Sequence, residues 1–171
     1  MNTMNSFLIA FDQLFAGFTI SITIWHFFLQ APTLMKLLGK EKFVPLMMQL
    51  TRLWVKTVFV SSSALLITAM WLSYNYQAII VPTMKFHWVG IGWLSIFINR
   101  YVIVPRALKA GARSVQQRKG DGSKDFIQDF VVEGGGKNET KALHQTVVLF
   151  VLIMVGSFFG HLVDLAAVMV L

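Results

Sequence analysis

Two sets of polar and ionisable side chains interrupt otherwise apolar stretches of this chain, and their types define the chemistry open to it. Asp12, His87, His161 and Asp164 form the first set. Imidazole and carboxylate together suit borderline divalent metals, so these four are the candidate metal ligands. His161 and Asp164 are three residues apart and share a helix face. A pairing of Asp164 with His161 or His87 is therefore the simplest arrangement. The second set is His26, Asn99, Arg100, Arg106 and His144, with Arg52 and Lys56 at a similar depth. It is the candidate site for a small ligand or cofactor. The four histidines also fall into two depth pairs, His26 with His144 and His87 with His161. Bis-His ligation of haem b would need such pairs. A divalent metal is the first cofactor expected and haem b the alternative.

Each of these residues has a plainer use. Asp12 and Asp164 fall within about two turns of their helix ends, where water and headgroups reach. Arg52, Lys56, Arg100 and Arg106 are of the kind that anchor helices by reaching to the interface. The Gly156-x-x-x-Gly160 pair and the Gly17-x-x-x-Ser21 pair permit close helix approach. No nucleophile–His–carboxylate constellation or phosphate loop is visible, so hydrolase chemistry has no support. The chain has no cysteine, which removes disulfides, thiolate ligands and Cys nucleophiles.

The elements that must position these groups are four apolar segments. Residues 7–30 carry one charge, Asp12; 57–84 and 86–99 carry none; 142–171 carry one, Asp164. A spanning helix needs roughly 20 mostly apolar residues. Charged residues make up only 13% of the chain and the mean hydropathy is +0.63; soluble domains are about one quarter charged. The expected fold is therefore all-α: a polytopic four-transmembrane-helix bundle, one domain over 1–171, with spans near 7–30, 53–74, 86–104 and 143–168. Pro32 ends the first span in this reading. Residues 34–50 form a short amphipathic helix on the cytoplasmic interface or extend a neighbouring helix. Trp54, with Trp71, Tyr74 and Tyr76, forms aromatic belts. Pro82 sits in the outer turn, and Pro105 kinks or ends the third span. Residues 105–141 form a cytoplasmic loop that starts with a basic helical stretch and has turns at 120–124 and 134–137. The first segment lacks the basic start and cleavage site of a signal peptide, and is expected to be a retained helix.

Charge sorting sets the orientation. Residues 31–56 carry Lys36, Lys40, Lys42, Arg52 and Lys56 against Glu41, and the stretch 100–141 is again basic. Lys and Arg accumulate on the cytoplasmic side. Both termini are therefore expected outside, in a bacterial inner membrane. The net charge of +7 is topological, so the lipid bilayer, with anionic headgroups, is the expected partner and nucleic acid is not.

The run Asn99-Arg100-Tyr101-Val102-Ile103-Val104-Pro105-Arg106, followed by Ala142-Leu143-His144, resembles the transmembrane protein 205-like family (domain of unknown function 4149). Trp25, Phe28 and the 37–43 region are similar to that family's first-helix exit. The resemblance covers nearly the whole chain. It implies four spans and a shared polar cluster of Asn99, Arg100, Pro105, Arg106 and His144. Val104 stands where relatives can carry an acid, so an ion pair made by that acid is absent. Phe15-Ala16-Gly17 and Lys85-Phe86-His87 are similar, more distantly, to four-helix copper-resistance D and HemJ-type membrane proteins. Three functions from different classes follow as expectations: a protein that binds or transports a metal ion or small solute, a haem- or porphyrin-binding redox protein, and an accessory subunit packed in a homo-oligomer or membrane complex. No residue pattern assigns a reaction.

Overall fold

A computed structural model describes residues 3–75, 84–119 and 137–169. Tyr76, Pro82 and the turn at 120–124 lie outside the described residues, as does most of the one at 134–137. Every described element is helical: α1 (Thr3–Ile24), a π-helical segment (Trp25–Gln30), α2 (Ala31–Asn75), α3 (Met84–Ile98), a second π-helical segment (Asn99–Ile103), α4 (Val104–Lys119) and α5 (Lys137–Met169).

These elements build four rods long and apolar enough to cross a membrane: Ser6–Gly39, Lys42–Tyr74, His87–Ala112 and Lys141–Ala166. The first three are longer than the spans their composition marks out, the first and third because neither Pro32 nor Pro105 ends a helix. A proline inside a helix removes one N–H and drives its ring against the carbonyl four residues back. Here a wider turn precedes each proline. The Ala31 N–H reaches back to the His26 carbonyl, and the Val104 N–H to that of Asn99. These bonds span five residues instead of four, and such π turns accommodate what a strict α-helix cannot.

Residues 34–50 are not a separate amphipathic helix. Gly39 divides them between the first and second rods, so they extend both neighbours. Gly39 has φ 65° and ψ 167°, a combination almost confined to glycine. Gly39→Ala is expected to cost about 1–3 kcal/mol, read as a lowered midpoint in thermal unfolding. An unchanged midpoint would mean that the chain turns elsewhere.

Cross-rod contacts fix an antiparallel, sequential bundle. Thr68 meets Asp12, Ser61 meets Thr19, and Thr51 meets His26, zipping the first rod to the second. Trp93 Nε1 donates to Ser63 Oγ at 3.0 Å, joining the third rod to the second. Asn99 reaches Val147, and Phe158 lies against Gly92, joining the third to the fourth. His161 meets Asp12 and closes the ring. The core is Ala16, Val58, Leu65, Val89, Ile96, Met154 and Phe158, all fully buried. Lipid-type side chains cover the outside, among them Phe7, Leu14, Ile67, Leu152 and Phe159. One end of the bundle carries Lys36, Lys42, Arg106, Lys109 and Lys141; it is called the basic end below.

One glycine of the spaced pairs, Gly160, does lie in close helix contact, where a Cβ would fall 3.3 Å from the Trp88 ring, and the tightest approach is at Gly92, outside those pairs. A Cβ on Gly17 or Gly156 would meet nothing within 4 Å, whereas one on Gly92 would fall less than 3.0 Å from three ring carbons of Phe158. Trp71 and Tyr74 are exposed as a belt requires, but Trp54 is buried inside the bundle.

Candidate functional site

The end opposite the basic one holds a closed polar triad. Asp12 and His161 are both buried, and His161 Nε2 lies 2.5 Å from Asp12 Oδ2. Thr68 Oγ1 donates to the other carboxylate oxygen at 3.1 Å. With Asp12 ionised, Nε2 carries the proton, since a carboxylate only accepts. His161 Nδ1 is buried and makes no hydrogen bond. A charge taken out of water must be paired and hydrogen-bonded to be tolerated. The first, second and fourth rods each supply one member, so the triad pins three rods together.

The four expected metal ligands are not gathered. Asp164 is half-buried and His87 is exposed, while Asp12 and His161 satisfy one another. Among the described residues there is no group of three or more His, Asp or Glu that could hold a metal ion. The expected pairing of Asp164 with His161 or His87 gives way to Asp12. Shared face along one helix was the sequence argument for Asp164, but the contact that forms is between rods. Thr68, the third member, carried no signal beyond being a hydroxyl in an apolar helix.

Below the triad the first and second rods share hydroxyl contacts. Thr19 Oγ1 and Ser61 Oγ are 2.7 Å apart and both buried. Thr23 Oγ1 donates to the Thr19 carbonyl at 2.7 Å. These bonds satisfy small polar side chains locally and allow close helix packing.

The second expected cluster splits in three. Asn99 turns inward: it is fully buried, its Nδ2 donates to the Val147 carbonyl at 3.5 Å, and its Oδ1 accepts no bond. Arg100 turns to the second rod, its guanidinium 4.4 Å from the centroid of Phe59 and 5.2 Å from that of Tyr101. Arg106 is exposed. Asn99, Arg100 and Arg106 therefore take different surroundings instead of sharing one.

His26 and His144 do converge. Both line a cavity of about 250 Å³ at the basic end, with walls from all four rods. His26 is buried, stacked parallel on Trp54 with ring centroids 5.4 Å apart, and edge-on to Phe27 at 5.1 Å. Its Nδ1 lies 3.0 Å from Gln30 Oε1, and its Nε2 lies 3.4 Å from Thr51 Oγ1, beyond a normal hydrogen-bond length. Thr51 completes the polar lining, and the remaining wall is apolar, including Phe27, Phe43, Met47 and Met48. Two buried polar atoms without a hydrogen bond, Trp54 Nε1 and Asn99 Oδ1, belong to residues that touch His26 and Val147 of this wall. Sequence reasoning missed Thr51, Gln30, Trp54 and the two methionines. A histidine, a glutamine four residues on and a proline beyond was the available signal.

No protein-family model, no curated protein and no solved structure matches the chain.

Proposed function

We propose that this is an integral membrane protein that binds a small, mostly apolar molecule bearing one polar group in the cavity at the basic end. The observation that carries the reading is the cavity itself: two imidazoles from the first and last rods, one hydroxyl, and otherwise apolar and aromatic walls. Ligand sites have this make-up, predominantly apolar with few convergent polar groups. Four rods of sufficient length and hydropathy support membrane insertion. The clustering of Lys and Arg at one end supports a cytoplasmic placement for the cavity, with both termini outside and the bacterial inner membrane as the site.

Haem fits less well. The cavity is below the roughly 300–1,000 Å³ of pockets for drug-sized ligands, so its occupant is smaller than a porphyrin. Both ring nitrogens of His26 face protein side chains, and Nε2 of His161 is held by Asp12.

A bicyclic phenol, 1-naphthol, has the required character. Saturating 1-naphthol is expected to raise the thermal unfolding midpoint of the detergent-solubilised protein, since a ligand at 100 times its Kd adds about 2.7 kcal/mol. Ala107 lines the cavity, and Ala107→Phe is expected to fill it and abolish the shift. An equal shift in both proteins would place 1-naphthol in the micelle or on the surface and remove the cavity from the account.

A further inference from the structure

The first and second rods leave an open groove of about 510 Å³ on the outside of the bundle, separate from the cavity at the basic end. Its walls are Leu14, Phe15 and Phe18 from the first rod and Val60 from the second. Leu14, Phe18 and Val60 are all exposed. The two hydroxyls along the groove are engaged: Thr57 Oγ1 donates to the Leu53 carbonyl at 3.0 Å, and Ser61 Oγ to the Phe15 carbonyl at 3.3 Å. What remains is hydrocarbon and one ionisable group, Lys56.

The depth of Lys56 sets it apart. The Thr51–His26 and Ser61–Thr19 contacts bracket it. Five residues of helix put it about 7.5 Å past the level of Thr51 toward the middle of the bundle. That level falls within the apolar stretch 7–30, whose single charge, Asp12, is held by His161 and Thr68. Lys56 is exposed and, among the described residues, makes no ion pair or hydrogen bond. A cation facing lipid at such depth is costly, and its flexible stem lets it reach toward the interface for a partner. Arg52, one turn nearer the basic end, shares its helix face.

We propose that the groove binds one anionic phospholipid, with an acyl chain along Leu14, Phe15, Phe18 and Val60 and the phosphate at the Lys56 ammonium. Charge and hydropathy together select this occupant. The walls take hydrocarbon, and the cation takes an anionic oxygen in a charge-assisted contact. A zwitterionic headgroup would bring its own cation beside Lys56, so a headgroup of net negative charge is preferred. The proposal rests on membrane insertion and is independent of the cavity at the basic end.

The chain has no cysteine, so bimane on Val60→Cys reports from the groove alone. The labelled protein, in phosphatidylcholine vesicles, is titrated with brominated-chain phosphatidylglycerol or brominated-chain phosphatidylcholine, which quench bimane on contact. Phosphatidylglycerol is expected to occupy the groove about fivefold better, as the roughly 1 kcal/mol of one cation near an anionic lipid gives. Lys56→Gln is expected to abolish that preference and Lys56→Arg to keep it. Leu152→Cys is the control. Leu152 is exposed on the fourth rod. It lies at nearly the depth of Val60, because positions 152 and 60 are similarly far along their helices from His161 and Thr68, which both meet Asp12. Bimane there is expected to be quenched equally by the two lipids. Equal quenching by both lipids at Val60→Cys would make the groove ordinary lipid contact and overturn the site, and so would a preference that survives Lys56→Gln. Quenching at Leu152→Cys with none at Val60→Cys would mean that protein covers the groove, which also overturns it. Quenching at neither position would remove membrane insertion and the site with it. The comparison of Val60→Cys with Leu152→Cys needs no change at Lys56.

Discussion

Asp12→Ala is expected to destabilise the bundle by about 3–5 kcal/mol, the range for breaking a buried pair by removing one partner. Asp12 is fully buried, its two oxygens take His161 and Thr68, and its loss would leave His161 with neither ring nitrogen bonded. The cost comes from the orphaned partner more than from the lost attraction. Replacing both members of a buried pair with apolar residues of similar volume is often neutral or stabilising. Asp12→Leu combined with His161→Leu should therefore be less damaging than Asp12→Ala alone. Double-mutant analysis of thermal unfolding checks this. Additive single effects would show that the two residues do not act as one unit. Asp164→Asn, in contrast, should shift stability far less than Asp12→Ala does, because Asp164 is only half-buried and is not part of the triad.

The second large effect is expected where the third and fourth rods touch. Gly92→Leu should cost more than the about 1–3 kcal/mol usual for overpacking. Even a single added carbon lands on the Phe158 ring, and Phe158 is itself fully buried, so the ring must shift within the core. Phe158→Ala alone should cost about 3–5 kcal/mol through the cavity it leaves. Together the two substitutions should cost less than their sum, because the new leucine enters the space the ring vacates. A sum that is simply additive in thermal unfolding would mean that the rods separate at this point in solution.

The four rods and their order were legible because hydropathy acts over twenty residues at a time, and the charge sorting that defines the basic end is equally coarse. What stayed hidden depends on single contacts. Pro32 reads as a helix end, and Pro105 as a kink or an end, because the rule considers an α-helix; the π turns that absorb them leave no mark in hydropathy. Trp54 read as an interfacial belt residue because aromatic position along a span says nothing about which face it takes. In the fold it turns inward and stacks on His26. Asp164 is the partner that spacing along one helix offers His161, while the meeting of the first rod with the fourth, which brings Asp12 to it, cannot be read from sequence. The Asn99–Arg106 run, a polar cluster on the family resemblance, is in the structure a π turn within a continuous rod: Asn99 starts the turn, Pro105 follows it, and Arg100 packs against aromatic rings. Of the second candidate set, His26 and His144 share a site, and their convergence required the register of the whole bundle.

The cavity at the basic end is the centre of this account, and native mass spectrometry of the protein released from its own membranes tests it most directly. The wild-type chain is expected to carry one small molecule of lower mass than a porphyrin, shed only at high collision energy, and Ala107→Phe is expected to carry none. A wild-type chain that appears bare at every energy, or a molecule retained equally by Ala107→Phe, would contradict it.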